Sequence, residues 1–267
     1  AIRAIYRSEK KLLHVKKLFE NENKLSEFEK IDWVNANILD IPALETTFTN
    51  VSYVYHCAAL VSFNPKDEEK LYQNNIVGTA NVVNCCLSSD VKKLCYVSSI
   101  SALGNGTEHN LLINEETERN NEAVRSDYSI SKFGAEMEVW RGFQEGLDVV
   151  IVNPSVIFGY GFPNQGSDVI IQSVKKGLSF YTNGTIGIIS VEDVTNCMVQ
   201  LMKSTISGER YILVGENINI KDFIYYLASQ FKIKPPGFYA SKSITNLGWR
   251  LDWLLAKITN RKRKLTR

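Results

Sequence analysis

Short β-branched segments alternate with longer amphipathic stretches along most of this chain, and this alternation restricts the fold more than any other feature. The segments VSYVYHCAA (51–59), KKLCYVSSI (92–100) and LDVVIVNPSVIFG (147–159) have the composition of buried strands. The stretches 66–88 and 127–146 between them have the apolar spacing of helices. Strands that alternate with helices pair in parallel, so the sequence predicts an α/β protein with a doubly wound parallel sheet.

The alternation begins at the first residues of the chain. AIRAIYR (1–7) is predicted to be a strand, 8–30 a helix and IDWVNANIL (31–39) a second strand. A short helix capped by Asp40 follows, because an aspartate side chain can accept the first free backbone N–H groups. With these segments, the strands of the predicted sheet span residues 1–158.

The texture of the sequence changes after Gly159. Shorter strands and helices follow a loop rich in glycine and asparagine, which predicts a smaller, mixed α/β lobe at 159–267, partly interleaved with a first domain at 1–158. The predicted elements of this lobe are a helix near 168–177, strands near 179–191 and 209–214, and helices in 192–203 and 220–231.

A glycine-rich turn is missing from the start of the predicted sheet. A Rossmann-type dinucleotide-binding fold opens with a strand and a turn whose backbone amides meet the pyrophosphate at a helix N-terminus. This chain has no G-x-x-G-x-x-G and starts at what reads as the second strand of such a fold. We therefore expect about one βα unit upstream of residue 1. At its other end, the chain likewise ends at RKRKLTR within the alternating pattern of strands and helices.

The composition is that of an ordinary globular protein. The 267 residues are 44% hydrophobic and 22% charged, which suffices for a substantial core. A net charge of +2, from 31 basic and 29 acidic residues, gives no overall field that would attract nucleic acid. No apolar run reaches about 18 residues and no signal peptide is visible, so we expect neither a membrane span nor secretion.

The cysteines indicate a reducing compartment. Five is an odd number, and most of them lie in apolar stretches such as VNCCL and KLCYV, which is typical of free, buried thiols. We therefore expect a cytoplasmic protein. No HExxH, Cys-x-x-Cys or acidic cluster with metal-ligand spacing occurs, so no metal site is predicted. The cysteines are Cys57, Cys85, Cys86, Cys95 and Cys197.

The segment Tyr128-Ser-Ile-Ser-Lys132 begins a predicted helix and is the strongest chemical signal in the chain. A spacing of four residues places Tyr128 and Lys132 on one helix face. A phenol has a pKa of about 10, and a nearby ammonium group lowers that pKa by stabilising the anion. A decrease of roughly three units takes about 4 kcal/mol. The same spacing also occurs by chance on solvated helices, so the surrounding sequence determines whether Tyr128 and Lys132 form a catalytic pair.

That context resembles the extended short-chain dehydrogenase/reductase family, also called the NAD-dependent epimerase/dehydratase family. The similarity is greatest to its dihydroflavonol-reductase-like and hydroxysteroid-dehydrogenase-like branch. Eight motifs occur in the family's order over nearly the whole chain: AIRAIYR, NANILD, YHCAALVSF, NNIVGTANVV, YVSSISALG, YSISK, NPSVIFGYG and SVEDV. The resemblance implies an NADP(H)-dependent oxidoreductase with a Rossmann-type domain at 1–158 and a substrate-binding lobe at 159–267.

The resemblance assigns catalytic roles to four residues. It implies that Tyr128 exchanges a proton with the substrate oxygen and that Lys132 binds the nicotinamide ribose and tunes the tyrosine. It implies that Ser99 hydrogen-bonds the substrate carbonyl and that Asn75 supports the proton relay. The structural alternatives are that Ser99 only caps a loop at a strand end and that Asn75 only satisfies backbone groups.

The cofactor residues also follow from the resemblance. Arg7 lies where the family contacts the adenosine ribose, and a cation there neutralises the 2′-phosphate of NADP(H), so NADP(H) is predicted over NAD(H). Asn37 replaces the family's usual aspartate, and its amide oxygen can still accept from adenine. The residues implied are Arg7, Asn37, Ile38, Ala58, Ala59, Leu60, Ser98, Tyr128, Lys132, Pro154, Ser155 and Val156.

Two positions of these motifs carry a separate interpretation. NPSVIFG resembles the family's R-P-x-x-V-Y-G segment with Asn153 in place of the arginine. We expect this exchange to alter a supporting contact and not the cofactor site itself. His56 is interpreted as a structural histidine, because a lone buried histidine is more often satisfied by its surroundings than catalytic.

Three functions are compatible with these residues. The first is a reductase of a small, fairly apolar carbonyl compound that enters a cleft between the two lobes. The second is a nucleotide-sugar epimerase or dehydratase with tightly bound NAD(H). The segment 159–190 has no arginine to bind a diphosphate and contains Phe162, Phe180 and Tyr181, which favours the reductase. The third is a non-catalytic NADP(H)-binding protein, which the intact Ser-Tyr-Lys set disfavours.

The sequence leaves the roles of two surfaces open. Helices 66–88 and 127–146 can form a homodimer interface of the family type, or their apolar residues can belong to the core. The segment LGWRLDWLLAKITNRKRKLTR (247–267) is predicted as an amphipathic helix on the substrate lobe with a solvated basic end. A helix lying on a membrane surface is the alternative.

Overall fold

The computed structural model describes residues 1–104, 112–117, 119, 125–163 and 165–241. In chain order the strands are β1 (Ile2–Tyr6), β2 (Ile31–Asn35), β3 (Tyr53–His56), β4 (Lys93–Val97), β5 (Val149–Pro154), β6 (Val156–Phe158), β7 (Phe180–Tyr181), β8 (Thr185–Ser190), β9 (Glu209–Leu213), β10 (Glu216–Asn219) and β11 (Phe238–Tyr239). The helices are α1 (Glu9–Asn21), α2 (Leu25–Glu29), α3 (Ile41–Thr47), α4 (Glu68–Leu71), α5 (Gly78–Ser88), α6 (Asp127–Gln144), α7 (Asp168–Lys175), α8 (Val191–Lys203) and α9 (Ile220–Gln230). Short 3₁₀ turns occur at Pro65–Asp67 and Ile100–Ala102, and a π-helical turn occurs at Tyr72–Val77.

The described chain divides into two compact units. Among the described residues, the larger unit contains those of 1–60, 69–153 and 198–211, and the smaller unit contains those of 61–68, 154–197 and 212–241.

The larger unit is built on parallel strands. One sheet has the order β3-β4-β5-β9, in which β3 pairs with β4 and β4 pairs with β5 in parallel, and β1 pairs with β2 in a second parallel sheet. The residues Leu94–Tyr96 and Val149–Val152 have 0–1% of their surface exposed. Strands that are apolar on both faces are typical of a parallel sheet covered on both sides. The predicted α/β class and Rossmann-like sheet are therefore confirmed.

Helix α6 packs closely on the helical segment that precedes β4. A Cβ atom at Gly134 would lie 2.5 Å from Cδ1 of Ile76, and one at Gly142 would lie 2.6 Å from Cγ1 of Val83. Both contacts are shorter than packed side chains allow, so the absence of a side chain lets the two helices approach each other. This approach fixes α6, which begins with Tyr128 in its first turn, against the sheet.

The smaller unit combines a three-stranded sheet with two helices. Its strand order is β10-β8-β6, and β7 pairs with β11 in a separate two-stranded sheet. Helices α7 and α9 share a core of Val174, Ile224 and Ala228. The ring of Phe158 on β6 meets that of Phe223 edge to face, with centroids 5.4 Å apart. The unit is mixed α/β, as the sequence predicts for this part of the chain.

Several predicted boundaries are wrong. The stretch 8–30 forms α1 and α2 with a break between them, where Asn23 has a φ of 55°. The stretch 66–88 contains a 3₁₀ turn, α4, a π-helical turn and α5 in succession. The stretch 147–159 forms β5 and β6. Apolar periodicity read over several turns does not reveal a local break or a single 3₁₀ or π turn, so these boundaries are not visible in the sequence.

The remaining structural expectations have mixed outcomes. Cys85, Cys86 and Cys95 are buried as predicted, but Cys57 is exposed and Cys197 is partly exposed. No helix among the described residues is long and apolar enough to cross a membrane. The predicted C-terminal helix within 247–267 lies outside the described residues.

Candidate active site

The predicted catalytic residues gather at the carboxyl ends of β4 and β5. Ser98 and Ser99 directly follow β4, and Asn153 is close to the end of β5. Tyr128 enters from the first turn of α6, which Ser126 caps by accepting from the backbone N–H of Ser129 at 3.2 Å. Because ligands of open parallel sheets bind beyond the carboxyl ends of the strands, this edge is the candidate active site.

Ser99 and Tyr128 are in direct contact. Their side chains are hydrogen-bonded to each other, and the Ser99 hydroxyl also accepts from the backbone N–H of Ser101 at 3.1 Å. Burial raises the pKa of the Tyr128 phenol, which is the opposite of the decrease predicted from the sequence, and the hydrogen bond from Ser99 opposes that rise. Tyr128 therefore carries its proton at neutral pH and is ready to act as an acid.

Lys132 is buried one helical turn after Tyr128. Only 1% of its surface is exposed, and its Nζ donates to the Tyr96 hydroxyl at 2.7 Å and to the backbone oxygen of Val97 at 2.8 Å. An ammonium group has three N–H donors, so one remains without a partner among the described residues. Burial lowers the pKa of Lys132 to about 8, and the nearby carboxylate of Glu136 opposes that decrease.

The buried charge of Lys132 leads to a prediction about stability. In the unfolded chain a lysine has a pKa of about 10.4, so between about pH 8 and pH 10 the unfolded state binds more protons than the folded state. The free energy of unfolding contributed by this group must therefore rise with pH, by about 1.4 kcal/mol per pH unit. Below about pH 8 both states are protonated and the contribution is constant.

Urea unfolding of the wild type and Lys132→Met across this range measures the effect. The difference between the two free energies of unfolding is expected to shift in favour of the wild type by about 3 kcal/mol from pH 7 to pH 10. Subtraction of the variant removes the contribution of all other titrating groups. A difference that does not change with pH would show that Lys132 is not a strained buried cation.

Asn75 lies in the π-helical turn, and both of its amide hydrogens are donated. Its Oδ1 accepts from the backbone N–H of Leu60 at 2.7 Å, and its Nδ2 donates to the backbone oxygen of Leu60 at 2.9 Å and to Ser131 Oγ at 2.9 Å. Asn75 therefore fixes the segment after β3 to α6. The role of Asn75 in a proton relay stays a prediction. The hydrogen bonds of its side chain connect the backbone of Leu60 to Ser131.

The residues predicted to meet the adenosine lie after β1 and β2. Arg7 is exposed and donates to Oδ1 of Asn74 at 3.1 Å. The side chain of Asn37 accepts from the backbone N–H of Leu39 at 3.2 Å, and Ile38 is buried, with its backbone oxygen bound by Asn81 at 2.9 Å. Since β1 and β2 are neighbours, these residues share one sheet edge.

The other predicted cofactor residues fall in both units. Ala58 and Ala59 are exposed after β3, where small side chains leave room for a ligand, and Leu60 is held by Asn75. Ser98 is buried and its hydroxyl donates to Glu136 at 2.6 Å. In the smaller unit, Pro154 ends β5, Val156 begins β6 and the backbone N–H of Ser155 between them donates to Leu213 at 2.9 Å.

Two buried polar groups, one in each unit, keep hydrogen-bonding capacity that no described residue uses. The Ser155 hydroxyl has no hydrogen-bond partner among the described residues, although only 6% of that residue is exposed. Lys132 likewise keeps one unpaired N–H. Buried polar atoms are normally satisfied, so unpaired ones at predicted cofactor positions are what an amide or a ribose hydroxyl would complete. No group of residues suited to hold a metal ion occurs in the described part of the chain.

Sequence reasoning missed one buried ion pair at this site. Glu136 on α6 has 0% of its surface exposed and pairs with Arg210 on β9 at 3.1 Å. The signal for Glu136 was present, because it follows Lys132 by four residues and therefore lies on the same helix face, beside Ala135 and Val139. The signal for Arg210 was absent, since nothing near it in the sequence points to Glu136.

The chain is similar to known proteins over most of its length. The model of the NAD dependent epimerase/dehydratase family matches residues 2–220. A putative dihydroflavonol 4-reductase of Synechocystis is 30% identical over 212 residues, which are 74% of this chain and 59% of that protein. Anthocyanidin reductase of Arabidopsis thaliana is 26% identical over 284 residues, covering 92% of this chain and 80% of the relative.

Solved structures show the same fold. PA4631, a nucleoside-diphosphate-sugar epimerase from Pseudomonas aeruginosa, gives a TM-score of 0.74 at 18% identity and covers 95% of this chain and 85% of its own. MoeE5 in complex with UDP-glucose and NAD gives a TM-score of 0.68 at 17% identity, covering 79% of this chain and 72% of its own.

Proposed function

The chain belongs to the NAD dependent epimerase/dehydratase family, and from that membership we propose that it is an NADP(H)-dependent reductase of a small, fairly apolar carbonyl compound. The observation that carries this proposal is the contact between Ser99 and Tyr128 one helical turn before the buried Lys132. The two relatives described above bear the names of reductases. The division into a cofactor domain at 1–158 and a substrate lobe at 159–267 is part of the same proposal.

Each of the three side chains has a defined task in a carbonyl reduction. The Ser99 hydroxyl hydrogen-bonds the substrate carbonyl oxygen and so orients it towards Tyr128. Tyr128 donates its phenolic proton to that oxygen as the carbonyl carbon gains a hydride, which is the chemistry that bound NADPH supplies. The unpaired N–H of Lys132 binds the ribose, and its charge stabilises the tyrosinate left after proton transfer.

Arg7 is the basis for preferring NADP(H). Its guanidinium is exposed and held by Asn74 at the edge where β1 and β2 end. A guanidinium at this position forms charge-assisted hydrogen bonds with a 2′-phosphate and has no comparable partner on a ribose hydroxyl. Asn37 provides an acceptor for the adenine amino group in the same place.

Replacement of Arg7 by alanine is expected to weaken NADPH binding about 10- to 100-fold and to leave NADH binding within about twofold, because only the phosphate loses a charged partner. Fluorescence titration of the full chain with both cofactors measures the two dissociation constants. Arg3→Ala is the matched control, since Arg3 pairs with Asp32 and two backbone oxygens. Equal losses for NADPH and NADH would contradict the assignment.

A nucleotide-sugar epimerase or dehydratase with tightly bound NAD(H) is the second candidate. The observation in its favour is the structural likeness to proteins described with a nucleotide sugar and NAD. Against it stands the smaller unit, where Phe162 and Phe180 expose 40% and 51% of their surface and no arginine lies between 159 and 190. Cofactor that copurifies as NADH and resists exchange would favour this candidate.

A non-catalytic NADP(H)-binding protein is the third candidate. Tyr128→Phe separates it from the other two, because the substitution abolishes turnover only in a protein that has turnover.

A homodimer and a cytoplasmic location remain predictions of this account. Met137 on α6 is 38% exposed and is available to a partner, whereas Trp140 and Phe143 pack against the core of the larger unit and Phe133 lies under the guanidinium of Arg119. Three of these four apolar residues of α6 therefore have intramolecular partners.

A further inference from the structure

Glu136 is a buried carboxylate that the proposed chemistry does not use. It lies on α6 one turn beyond Lys132, with 0% of its surface exposed. Burying a carboxylate is costly unless its oxygens are paired and hydrogen-bonded, so its retention inside the larger unit requires specific partners. The structure provides four. They are Ser98 Oγ at 2.6 Å, Asn153 Nδ2 at 3.0 Å, Arg210 NH1 at 3.1 Å and Trp140 Nε1 at 3.4 Å.

These partners connect the ends of three strands. Ser98 follows β4, Asn153 lies on β5 and Arg210 lies on β9, so a single carboxylate ties them to α6. Asn153 uses its other Nδ2 hydrogen to bind the backbone oxygen of Ser99 at 3.0 Å. A chain of contacts thus runs from Glu136 through Asn153 to Ser99, whose hydroxyl binds Tyr128.

Arg210 is itself held in a fixed orientation. Its Nε donates to the backbone oxygen of Glu115 at 2.8 Å, and its NH2 binds the same oxygen. The guanidinium presents NH1 to Glu136 from this anchored position. Because a planar guanidinium has a rigid set of donors, anchoring one edge on a backbone oxygen fixes the direction of the other.

Asn153 occupies the position that is arginine in the R-P-x-x-V-Y-G pattern. Its side chain contacts Glu136 directly. The guanidinium that pairs with Glu136 comes from Arg210 on β9. Asn153 is fully buried and its Oδ1 has no hydrogen-bond partner among the described residues.

From this geometry we propose that the buried Glu136–Arg210 pair positions Ser99 for catalysis, acting through Asn153. Glu136 and Arg210 are positioning residues, since neither contacts the phenol of Tyr128 through any bond described above. The proposal rests on the proposed function for its catalytic consequence. Its structural content, which is the fixed orientation of the Ser99 segment, can be measured without substrate.

Glu136→Gln tests the pair with the smallest change of shape, because it removes the charge and keeps one oxygen acceptor. Backbone amide exchange should accelerate about tenfold at Ala102, whose N–H donates to the same Ser99 oxygen that Asn153 binds. The kcat should fall about 10- to 100-fold with an unchanged dissociation constant for NADPH. Glu138→Gln, which alters a partly exposed carboxylate paired with Arg141 on the same helix, is the control and should change neither quantity.

A conservative replacement of Arg210 provides a second test that keeps Asn153 in place. Arg210→Met should lower kcat and accelerate amide exchange at Ala102 as Glu136→Gln does, whereas Arg210→Lys, which keeps a cation beside Glu136, should keep kcat within about tenfold of the wild type. A folded Glu136→Gln protein with the wild-type kcat and the wild-type rate of amide exchange at Ala102 would overturn the proposal. So would a variant with a lower melting temperature but wild-type kcat in its folded fraction. If the wild type has no NADPH-dependent turnover, the proposed function fails and the exchange at Ala102 still decides the positioning role.

Discussion

Tyr128→Phe is expected to lower kcat about a thousandfold, because phenylalanine has no proton to give to the substrate oxygen. The dissociation constant for NADPH should stay within about twofold, since the ring and its packing are kept. Burial keeps the phenol protonated in the resting enzyme, so the wild type starts each reduction with its acid in place. Steady-state kinetics and a cofactor titration on the same preparation measure both quantities.

Tyr226→Phe is the matched control for this experiment. Tyr226 lies on α9 with 59% of its surface exposed, and loss of its hydroxyl should leave kcat and NADPH binding unchanged. Turnover within about tenfold of the wild type in Tyr128→Phe would refute the assignment of Tyr128 as the proton donor. Loss of NADPH binding together with turnover would instead make Tyr128 a residue of the cofactor site alone.

Lys132→Met should also lower kcat about a thousandfold, but with a different signature. The ammonium group is predicted to bind the ribose as well as to stabilise the tyrosinate, so NADPH should bind at least about tenfold more weakly. Methionine keeps most of the volume of the side chain and avoids a cavity beside Tyr96. Kinetics and titration distinguish this variant from Tyr128→Phe, in which cofactor binding is spared.

Lys92→Met is the control for the loss of a lysine from the same unit, because Lys92 is exposed at the start of β4. It should keep wild-type kcat and NADPH affinity. The folded state of Lys132→Met should survive at neutral pH, since removal of a buried cation relieves a desolvation penalty. An inactive Lys132→Met that binds NADPH as tightly as the wild type would contradict the predicted ribose contact.

The sheet of the larger unit could be predicted because its strands carry a signal that packing reinforces. Val149–Val152 and Leu94–Tyr96 are apolar on both faces, and only a strand covered on both sides buries them all. The π-helical turn around Asn75 could not be predicted in the same way. Its extra residue in the turn is fixed by tertiary contacts, among them the two hydrogen bonds of Asn75 to Leu60.

In the candidate site, too, local sequence patterns predict local structure but not tertiary contacts. The spacing of Tyr128 and Lys132 on a helix, and the position of Ser99 after a strand, follow from local patterns that the sequence displays. The partners of Lys132 do not, because Tyr96 and Val97 lie on β4, and the strand reaches α6 only through packing. Glu136 and Arg210 are 74 residues apart, and no periodicity connects residues at such a distance.

The central claim is that this protein transfers hydride to a carbonyl compound with Tyr128 as the acid, and one measurement tests it most directly. The full chain is incubated with a panel of apolar ketones and NADPH that carries deuterium at the transferable position of nicotinamide C4, and the products are analysed by mass spectrometry. The account predicts an alcohol with a single deuterium on the former carbonyl carbon, and no such product with Tyr128→Phe. Formation of equal amounts of that alcohol by both proteins, or deuterium that stays on the cofactor with every ketone of the panel, would contradict it.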